Sequence, residues 1–127
     1  MPATAKRILI VEDDDDLRTL FHLALTLEGF DVDDASTGWD ALRLFENDPP
    51  DLVVLDLALP GLDGFAVQQE IAAQQTGTQI PIVVVTSSPR ELSSLDVACV
   101  LRKPISPDEL VRTVRRCLAS PTGTAGA

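Results

Sequence analysis

The chain has 127 residues, 45% of them apolar, which is enough for one hydrophobic core and too few for two of ordinary size. We therefore expect one domain. A formal net charge of −10 repels nucleic acid phosphates and anionic lipids, so we expect no direct binding of nucleic acid or of a membrane.

No targeting or membrane-spanning segment is expected. Residues 1–7 contain no apolar stretch of the kind found in a signal peptide, and no apolar run approaches the length that crosses a bilayer. These features predict a cytoplasmic protein. Cys99 and Cys117 each lie in an apolar segment, which favours buried free thiols over a disulfide or a metal site.

Apolar runs of strand length alternate with segments of helical periodicity, which is typical of βα units and a parallel sheet. The patterns predict strands over 8–11, 30–34, 52–55, 80–85 and 97–101. They predict helices over 14–28, 38–47, 65–75 and 107–119, followed by a frayed tail over 120–127. The predicted fold class is α/β, a doubly wound five-stranded parallel sheet with right-handed crossovers and helices on both faces.

Side chains that can bind ligands or take part in a reaction follow four of these strands directly. Glu12 and Asp13 follow the first strand, Asp56 the third, Thr86 the fourth and Lys103 the fifth. Ligands of such sheets bind beyond the carboxyl ends of the strands, where these side chains converge. If the first and third strands are neighbours, two carboxylates about 5 Å apart repel by roughly 3 kcal/mol at an effective dielectric constant near 20. Such a cluster requires a cation.

The type of ligand atom restricts the cation. Carboxylate and carbonyl oxygens fit Mg²⁺ or Mn²⁺, whereas Zn²⁺ would require a His or Cys cluster that the sequence lacks. A hard divalent cation beside a carboxylate, a hydroxyl and an ammonium group suits phosphoryl binding. Thr86 and Lys103 would then contact phosphoryl oxygens, and Asp56 would attack phosphorus to form an aspartyl phosphate.

Four sequence fragments in order, each at a strand end, resemble the receiver domain of two-component response regulators. They are VEDD at 11–14, LDLALPGLDG at 55–64, VTS at 85–87 and RKP at 102–104. The resemblance covers about residues 6–119 and implies a flavodoxin-like sheet with strand order 2-1-3-4-5. We accordingly expect a receiver domain over 1–119.

The resemblance also implies roles for individual residues. Asp56 would accept a phosphoryl group from a histidine kinase or a histidine phosphotransfer protein. The ligands of Mg²⁺, with Mn²⁺ as the alternative ion, would be the side chains of Glu12, Asp13 and Asp56 together with the backbone carbonyl of Ala58. Thr86 would be the switch hydroxyl, and Lys103 would contact the phosphoryl group and precede Pro104 across a cis bond.

Three features depart from the family's pattern. Only 16 residues separate Thr86 from Lys103, about one helical turn fewer than usual, so the family's fourth helix should be short, distorted or absent here. Val100 occupies a position that is aromatic in members that use a Thr/aromatic switch. Ala58 provides no polar side chain beside the phosphorylation site, and we hypothesise that the phosphorylated state is consequently long-lived.

Other residues have simpler interpretations. Asp56 alone would be a strand cap, and Glu12 with Asp13 alone would be acids at a helix N-terminus. We interpret His22 as a surface or packing residue and Trp39 as partly packed rather than as a binding platform. The last predicted helix contains Arg112, Arg115 and Arg116. We interpret these arginines as a solvated face, which would also be the only basic patch available to an acidic partner.

The first hypothesis is a single-domain response regulator, because only 24 residues follow Lys103 and leave no room for an output domain. It would signal by binding a downstream protein, by forming a homodimer or by onward phosphotransfer, and would catalyse only its own phosphotransfer and dephosphorylation. The alternative is a receiver-like adaptor that acts independently of phosphorylation. A phosphatase with an aspartyl nucleophile is disfavoured, because such enzymes place an acid where this chain has Ala58.

Overall fold

Five parallel strands form one sheet in the order β2-β1-β3-β4-β5, which confirms the expected strand order and fold class. The structure is a computed structural model that describes residues 5–74, 79–87, 92 and 97–119. Its elements in chain order are β1 (Arg7–Val11), α1 (Asp15–Leu27), β2 (Asp31–Ala35), α2 (Gly38–Asn47), β3 (Leu52–Leu55), α3 (Gly64–Gln74), β4 (Ile82–Thr86), β5 (Cys99–Arg102) and α4 (Pro107–Ala119).

The predicted boundaries of β3, α2 and α4 are those observed, whereas several other boundaries differ. The second strand begins at Asp31 and not at Phe30, because the Phe30 amide donates a hydrogen bond to Leu25 O and so belongs to the end of α1. The fourth strand runs over Ile82–Thr86 and the fifth over Cys99–Arg102, each shifted toward the C-terminus relative to its prediction.

Two predictions fall wholly or largely outside the described residues. The tail over 120–127 is not described. Within 87–96, where we expected a short, distorted or absent helix, only Ser87 and Leu92 are described, and neither is helical. Leu92 is buried in the hydrophobic core.

The sheet separates two hydrophobic clusters, one on each face. Alternate residues of the central strands point to opposite faces, and β1, β3 and β4 are apolar on both. On one face the strands pack against α2 and α3, through side chains that include Phe45 and Ile71. On the other face they pack against α1 and α4, through side chains that include Phe21 and Leu110. The helices therefore cover both faces, as predicted for a doubly wound sheet.

Side-chain caps determine where the helices begin. At each N-terminus an oxygen accepts a hydrogen bond from a backbone amide three residues later, and these oxygens belong to Asp14, Thr37, Asp63 and Ser106. All four caps follow the carboxyl end of a strand. Within the described residues, no helix combines the length and apolarity needed to span a membrane.

Gly64 lies where α3 begins against the end of β3. A Cβ at this position would lie 2.5 Å from the carbonyl oxygen of Asp56 and would also contact the backbone of Leu57. The Gly64 amide donates a hydrogen bond to Leu57 O at 3.0 Å. The missing side chain thus allows α3 to approach the segment that contains Asp56.

We expect Gly64→Ala to lower the free energy of unfolding by about 2 kcal/mol, because the atoms it would meet are backbone atoms that cannot rotate away. Urea denaturation measures this change. Gly29→Ala is the control, since Gly29 has φ +97° but open space around it and should lose only about 1 kcal/mol from backbone strain. A Gly64→Ala variant less affected than Gly29→Ala would contradict the close approach.

Candidate functional site

The ends of β1 and β3 bring three carboxylates together. The strands are neighbours, with Val11 beside Leu55, and the Asp56 amide donates a hydrogen bond to Val11 O at 2.9 Å. Glu12, Asp13 and Asp56 each contribute one oxygen to a group in which these atoms lie within 4.8 Å of one another. The convergence predicted from the strand ends is therefore present.

The three carboxylates differ in exposure. Glu12 and Asp56 are only 2% and 4% exposed, whereas Asp13 is exposed to solvent. Burial of two carboxylates costs free energy unless each is paired or hydrogen-bonded. The site is thus a small acidic pocket with a buried floor and with Asp13 at its mouth.

Lys103 supplies the positive charge within this pocket. Its Nζ lies 2.9 Å from Glu12 Oε1 and 3.2 Å from Asp56 Oδ2. The peptide bond from Lys103 to Pro104 is cis, as the family resemblance implied. The Lys103 amide also donates a hydrogen bond to Thr86 O at 2.8 Å, so β5 fixes the position of this lysine against β4.

Backbone amides bind the remaining oxygens of the two buried acids. The Ala58 amide donates a hydrogen bond to Asp56 Oδ1 at 3.0 Å, and the Asp14 amide donates one to Glu12 Oε2 at 3.2 Å. These contacts satisfy the carboxylates and fix their orientation. Glu12 thus lies at the start of α1 and also contacts Lys103, which an acid that served only the helix N-terminus would not do.

Burial and the contact between Glu12 and Lys103 shift the pKa values of both groups. Desolvation raises the pKa of Glu12 to about 7, and the hydrogen bond from Lys103 only partly opposes this effect. For Lys103, burial acts to lower the pKa, but the hydrogen bond to Glu12 and the charge of Asp56 outweigh it, so the pKa is raised. Lys103 therefore remains a cation over the physiological pH range.

The other predicted site residues lie around the same edge of the sheet. Thr86 ends β4 and is fully buried, and Val100 lies half-buried on β5, where it packs against the cluster that includes Leu92. Ala58 lies exposed directly beyond Asp56. The assigned role of the Ala58 carbonyl as a metal ligand and the switch role of Thr86 stay predictions.

Sequence reasoning missed Arg18. Its Nη1 donates a hydrogen bond to the backbone carbonyl of Glu12 at 3.0 Å, and its Nη2 lies 2.6 Å from Asp15 Oδ1. Arg18 therefore fixes the turn that presents Glu12 and Asp13. The spacing of Asp15 and Arg18 indicates a helical ion pair, but nothing in the sequence reveals the contact with Glu12.

The structure also bears on the interpretations of Trp39, of His22 and of the two cysteines. Trp39 is 65% exposed, so it is partly packed but more exposed than expected. His22 lies on α1 with Nδ1 2.7 Å from Asp34 Oδ2, which agrees with a surface residue that links α1 to β2. Cys99 and Cys117 are free and half-buried, less buried than expected.

The donor set fits a hard divalent cation. Glu12, Asp13 and Asp56 offer only carboxylate oxygens, and exposed Asp13 leaves a path from solvent. In the described part of the chain, this is the only group of three or more potential metal-ligating side chains.

A parallel sheet of this order with an acidic pocket at its carboxyl edge defines the class of protein. Residues 8–115 match the response regulator receiver domain, and the chain belongs to this family.

Curated relatives of the chain are regulators about twice its length. The response regulator MprA of Mycolicibacterium vanbaalenii is 36% identical over 126 residues, which cover 95% of this chain and 54% of the relative. The alkaline phosphatase synthesis transcriptional regulatory protein PhoP of Bacillus subtilis is 36% identical over 118 residues, which cover 89% of this chain and 48% of the relative. The chain therefore spans about half the length of these proteins.

Similar solved structures include a receiver domain of a sensor histidine kinase and a sensor protein. One is the receiver domain of a sensor histidine kinase from Pseudomonas aeruginosa with a magnesium ion coordinated in its active-site cleft. It is 30% identical with a TM-score of 0.82, and the match covers 92% of this chain and all of that one. A sensor protein from Polaromonas is 32% identical with a TM-score of 0.82, and the match covers 91% of this chain and 98% of that one.

We expect Lys103→Met to lower the free energy of unfolding by about 2 kcal/mol in metal-free buffer, because it leaves two buried carboxylates without their shared cation. Adding Asp56→Asn to this variant should recover part of the loss, since it removes one of the repelling charges. Urea denaturation of the wild type, both single variants and the double variant measures the coupling. Strictly additive effects would show that Lys103 does not offset the charge of Asp56.

Proposed function

We propose that this chain is a phosphorylatable response regulator whose Asp56 accepts a phosphoryl group from a histidine kinase or a histidine phosphotransfer protein. The observation that carries the proposal is the position of Asp56. Its carboxylate is 4% exposed and lies 3.2 Å from Lys103 Nζ, within a group of three carboxylates. Membership of the receiver family supports the same conclusion.

The phosphoryl transfer requires a nucleophile and neutralisation of charge. A carboxylate oxygen of Asp56 would attack phosphorus as the bond from phosphorus to the donor's histidine nitrogen breaks, and the product is an aspartyl phosphate. Lys103 would shift from Asp56 to the phosphoryl oxygens, since its ammonium group lies beside the acceptor carboxylate. Thr86, at the end of β4, would donate a hydrogen bond to one of these oxygens.

We assign Mg²⁺, with Mn²⁺ as the alternative, to the same pocket. Glu12, Asp13, Asp56 and the Ala58 carbonyl would hold the ion, and the magnesium ion of the Pseudomonas aeruginosa receiver domain supports this assignment. When bound, the ion neutralises negative charge on the phosphoryl oxygens.

The surface beside the pocket suits a protein phosphodonor. The first helix begins immediately beyond Glu12 and Asp13 and exposes three leucines at helical spacing. Leu20, Leu23 and Leu27 are 43%, 54% and 75% exposed. We propose that a donor whose phosphohistidine enters the pocket also packs on α1, where these side chains provide apolar area.

The output would be binding rather than turnover of a separate substrate. We propose that the phosphorylated chain signals by binding a downstream protein, by forming a homodimer or by onward phosphotransfer. It would catalyse only its own phosphotransfer and dephosphorylation. Action as a single-domain regulator is part of this proposal, whereas the curated relatives, which include a transcriptional regulator, are about twice the length of this chain. Our expectation that these residues bind no nucleic acid stays a prediction.

We expect incubation with Mg²⁺ and a small phosphodonor to raise the intact mass of the protein by one phosphoryl group. Chelation of the metal should prevent the increase, because the pocket then lacks the charge that the phosphoryl oxygens require. Asp56→Asn should also prevent it, since an amide oxygen is a poor nucleophile. Mass spectrometry of the intact protein provides the measurement.

Asp63→Asn is the matched control, because Asp63 is an exposed acid that caps α3 and is not in the carboxylate group. This variant should still be phosphorylated. A mass increase that persists in Asp56→Asn would show that the acceptor is elsewhere, and no increase in the wild type would favour a phosphorylation-independent adaptor.

We expect Ala58→Asn to accelerate dephosphorylation by about tenfold, because the amide would hydrogen-bond to the attacking water and position it, a weaker effect than the roughly 10²–10⁴-fold of a general acid or base. Ala58 is exposed beside the acceptor and offers no polar side-chain atom. The decay of the phosphorylated mass in Mg²⁺ after removal of the phosphodonor, compared between the wild type and Ala58→Asn, measures the rate. Ala58→Val is the control for bulk, and slower decay in Ala58→Asn would refute the idea.

A further inference from the structure

A groove of about 670 Å³ lies between α2 and α3, away from the acidic pocket. Apolar side chains line one part of it, and two acids lie at its other end. Its lining residues are Trp39, Leu42, Arg43, Glu46, Leu62, Ala66, Gln69 and Glu70. None of them belongs to the proposed phosphorylation site.

Trp39 is the most prominent feature of the groove. It is the only tryptophan in the chain, and 65% of it is exposed on the first turn of α2. Its indole nitrogen lies 4.0 Å from the position that a Cβ would take at Gly61. An exposed indole is an unfavourable arrangement in water, and tryptophan is enriched among the residues that dominate binding energy at interfaces.

The apolar end of the groove is closely packed. An added Cβ at Gly38 would lie 2.6 Å from Leu62 O, so the start of α2 packs closely on the loop before α3. Leu42 is 8% exposed and forms part of the floor, and Leu62 is half-buried. A side chain that entered beside Trp39 would therefore meet a formed surface.

The opposite end of the groove is acidic. The Glu46 carboxylate accepts a hydrogen bond from Gln74 at 3.2 Å, and Glu70 has no ion-pair partner among the residues that the structure describes. The one cation in the lining, Arg43, lies 3.1 Å from Asp40 Oδ1 and is thereby offset. Within the described part of the chain, the rim thus carries two negative charges without a paired cation.

We propose that this groove is a docking site for a cationic amphipathic segment of a partner protein. An apolar side chain of the segment would pack on Trp39 and Leu62, and lysine or arginine side chains would pair with Glu46 and Glu70. Trp39 and Glu46 are seven residues apart on one helix, so the apolar and cationic contacts are separated by about 10 Å, or about two helical turns. This spacing suits a helix laid in the groove.

The negative charge of the groove and of the whole chain favours a basic protein segment over a second copy of the chain or an anionic lipid surface. A second copy of the chain would also carry a formal charge of −10, so the two copies would repel each other. An anionic lipid surface would be repelled by Glu46 and Glu70 for the same reason. A basic segment is attracted to the acidic rim and to the chain as a whole.

The test uses a short synthetic helical peptide that lacks tryptophan and tyrosine. It carries leucines at the centre of one face and lysines about two helical turns away on either side. A control peptide has glutamate in place of each lysine. Because the chain contains one Trp and no Tyr, the emission of Trp39 reports directly on the groove. We expect the lysine peptide to cause a saturable blue shift that weakens with added salt, and the glutamate peptide to cause none.

Variants assign the binding to the groove, with a fluorescent label on the peptide replacing Trp39 as the probe. Trp39→Ala should weaken binding by at least about tenfold. Glu46→Gln with Glu70→Gln should weaken it several-fold and reduce its salt dependence. Asp16→Asn with Asp108→Asn is the matched control, because it removes the same charge from exposed positions outside the groove and should have little effect.

Three results would overturn the proposal. They are equal affinity for the two peptides, unchanged affinity in Trp39→Ala, and a homodimer in sedimentation equilibrium that excludes the peptide and dissociates in Trp39→Ala. All measurements use the unphosphorylated protein, so their outcome is independent of whether Asp56 accepts a phosphoryl group.

Discussion

The ammonium group of Lys103 lies between two carboxylates that the sheet buries at one edge, and the candidate site depends on this contact. Glu12 and Asp56 end neighbouring strands, so the packing of β1 against β3 places like charges together. Lys103 offsets their repulsion from the adjoining side, where β5 pairs with β4. A bound cation or phosphoryl group would change this balance, because each interacts with the same few oxygens.

The proposed phosphorylation site and the two proposed protein-binding surfaces lie on different parts of the fold. The carboxyl edge of the sheet carries the acidic pocket, whereas the exposed leucines of α1 and the groove between α2 and α3 lie on the helical layers of opposite faces. The helices that form these surfaces begin at side-chain caps next to the strand ends. Surfaces suited to a phosphodonor and to a second partner therefore lie on opposite faces of the sheet and share no residues with the pocket that holds Asp56.

Local sequence patterns predicted most of the fold correctly, for identifiable reasons. Strands buried on both faces, such as Leu52–Leu55, have short continuous apolar runs bounded by turn residues, a pattern that favours a strand over a longer helix. Boundaries were less accurate where a tertiary hydrogen bond or a cap decides the first residue, as at Phe30, whose amide bonds to the end of α1. The exposure of Trp39 was also missed, because its position in α2 does not indicate whether α3 covers the ring.

The sequence by itself determined which residues follow each strand, and hence that Glu12, Asp13, Asp56, Thr86 and Lys103 meet at one edge of a parallel sheet. This was possible because strand direction and chain order fix the edge on which a residue lies. Only the tertiary structure decided that Lys103 contacts both buried acids, that Arg18 holds the carbonyl of Glu12, and that α2 and α3 leave Trp39 exposed over a groove. These features depend on side-chain orientation and on packing between distant segments, which periodicity does not encode.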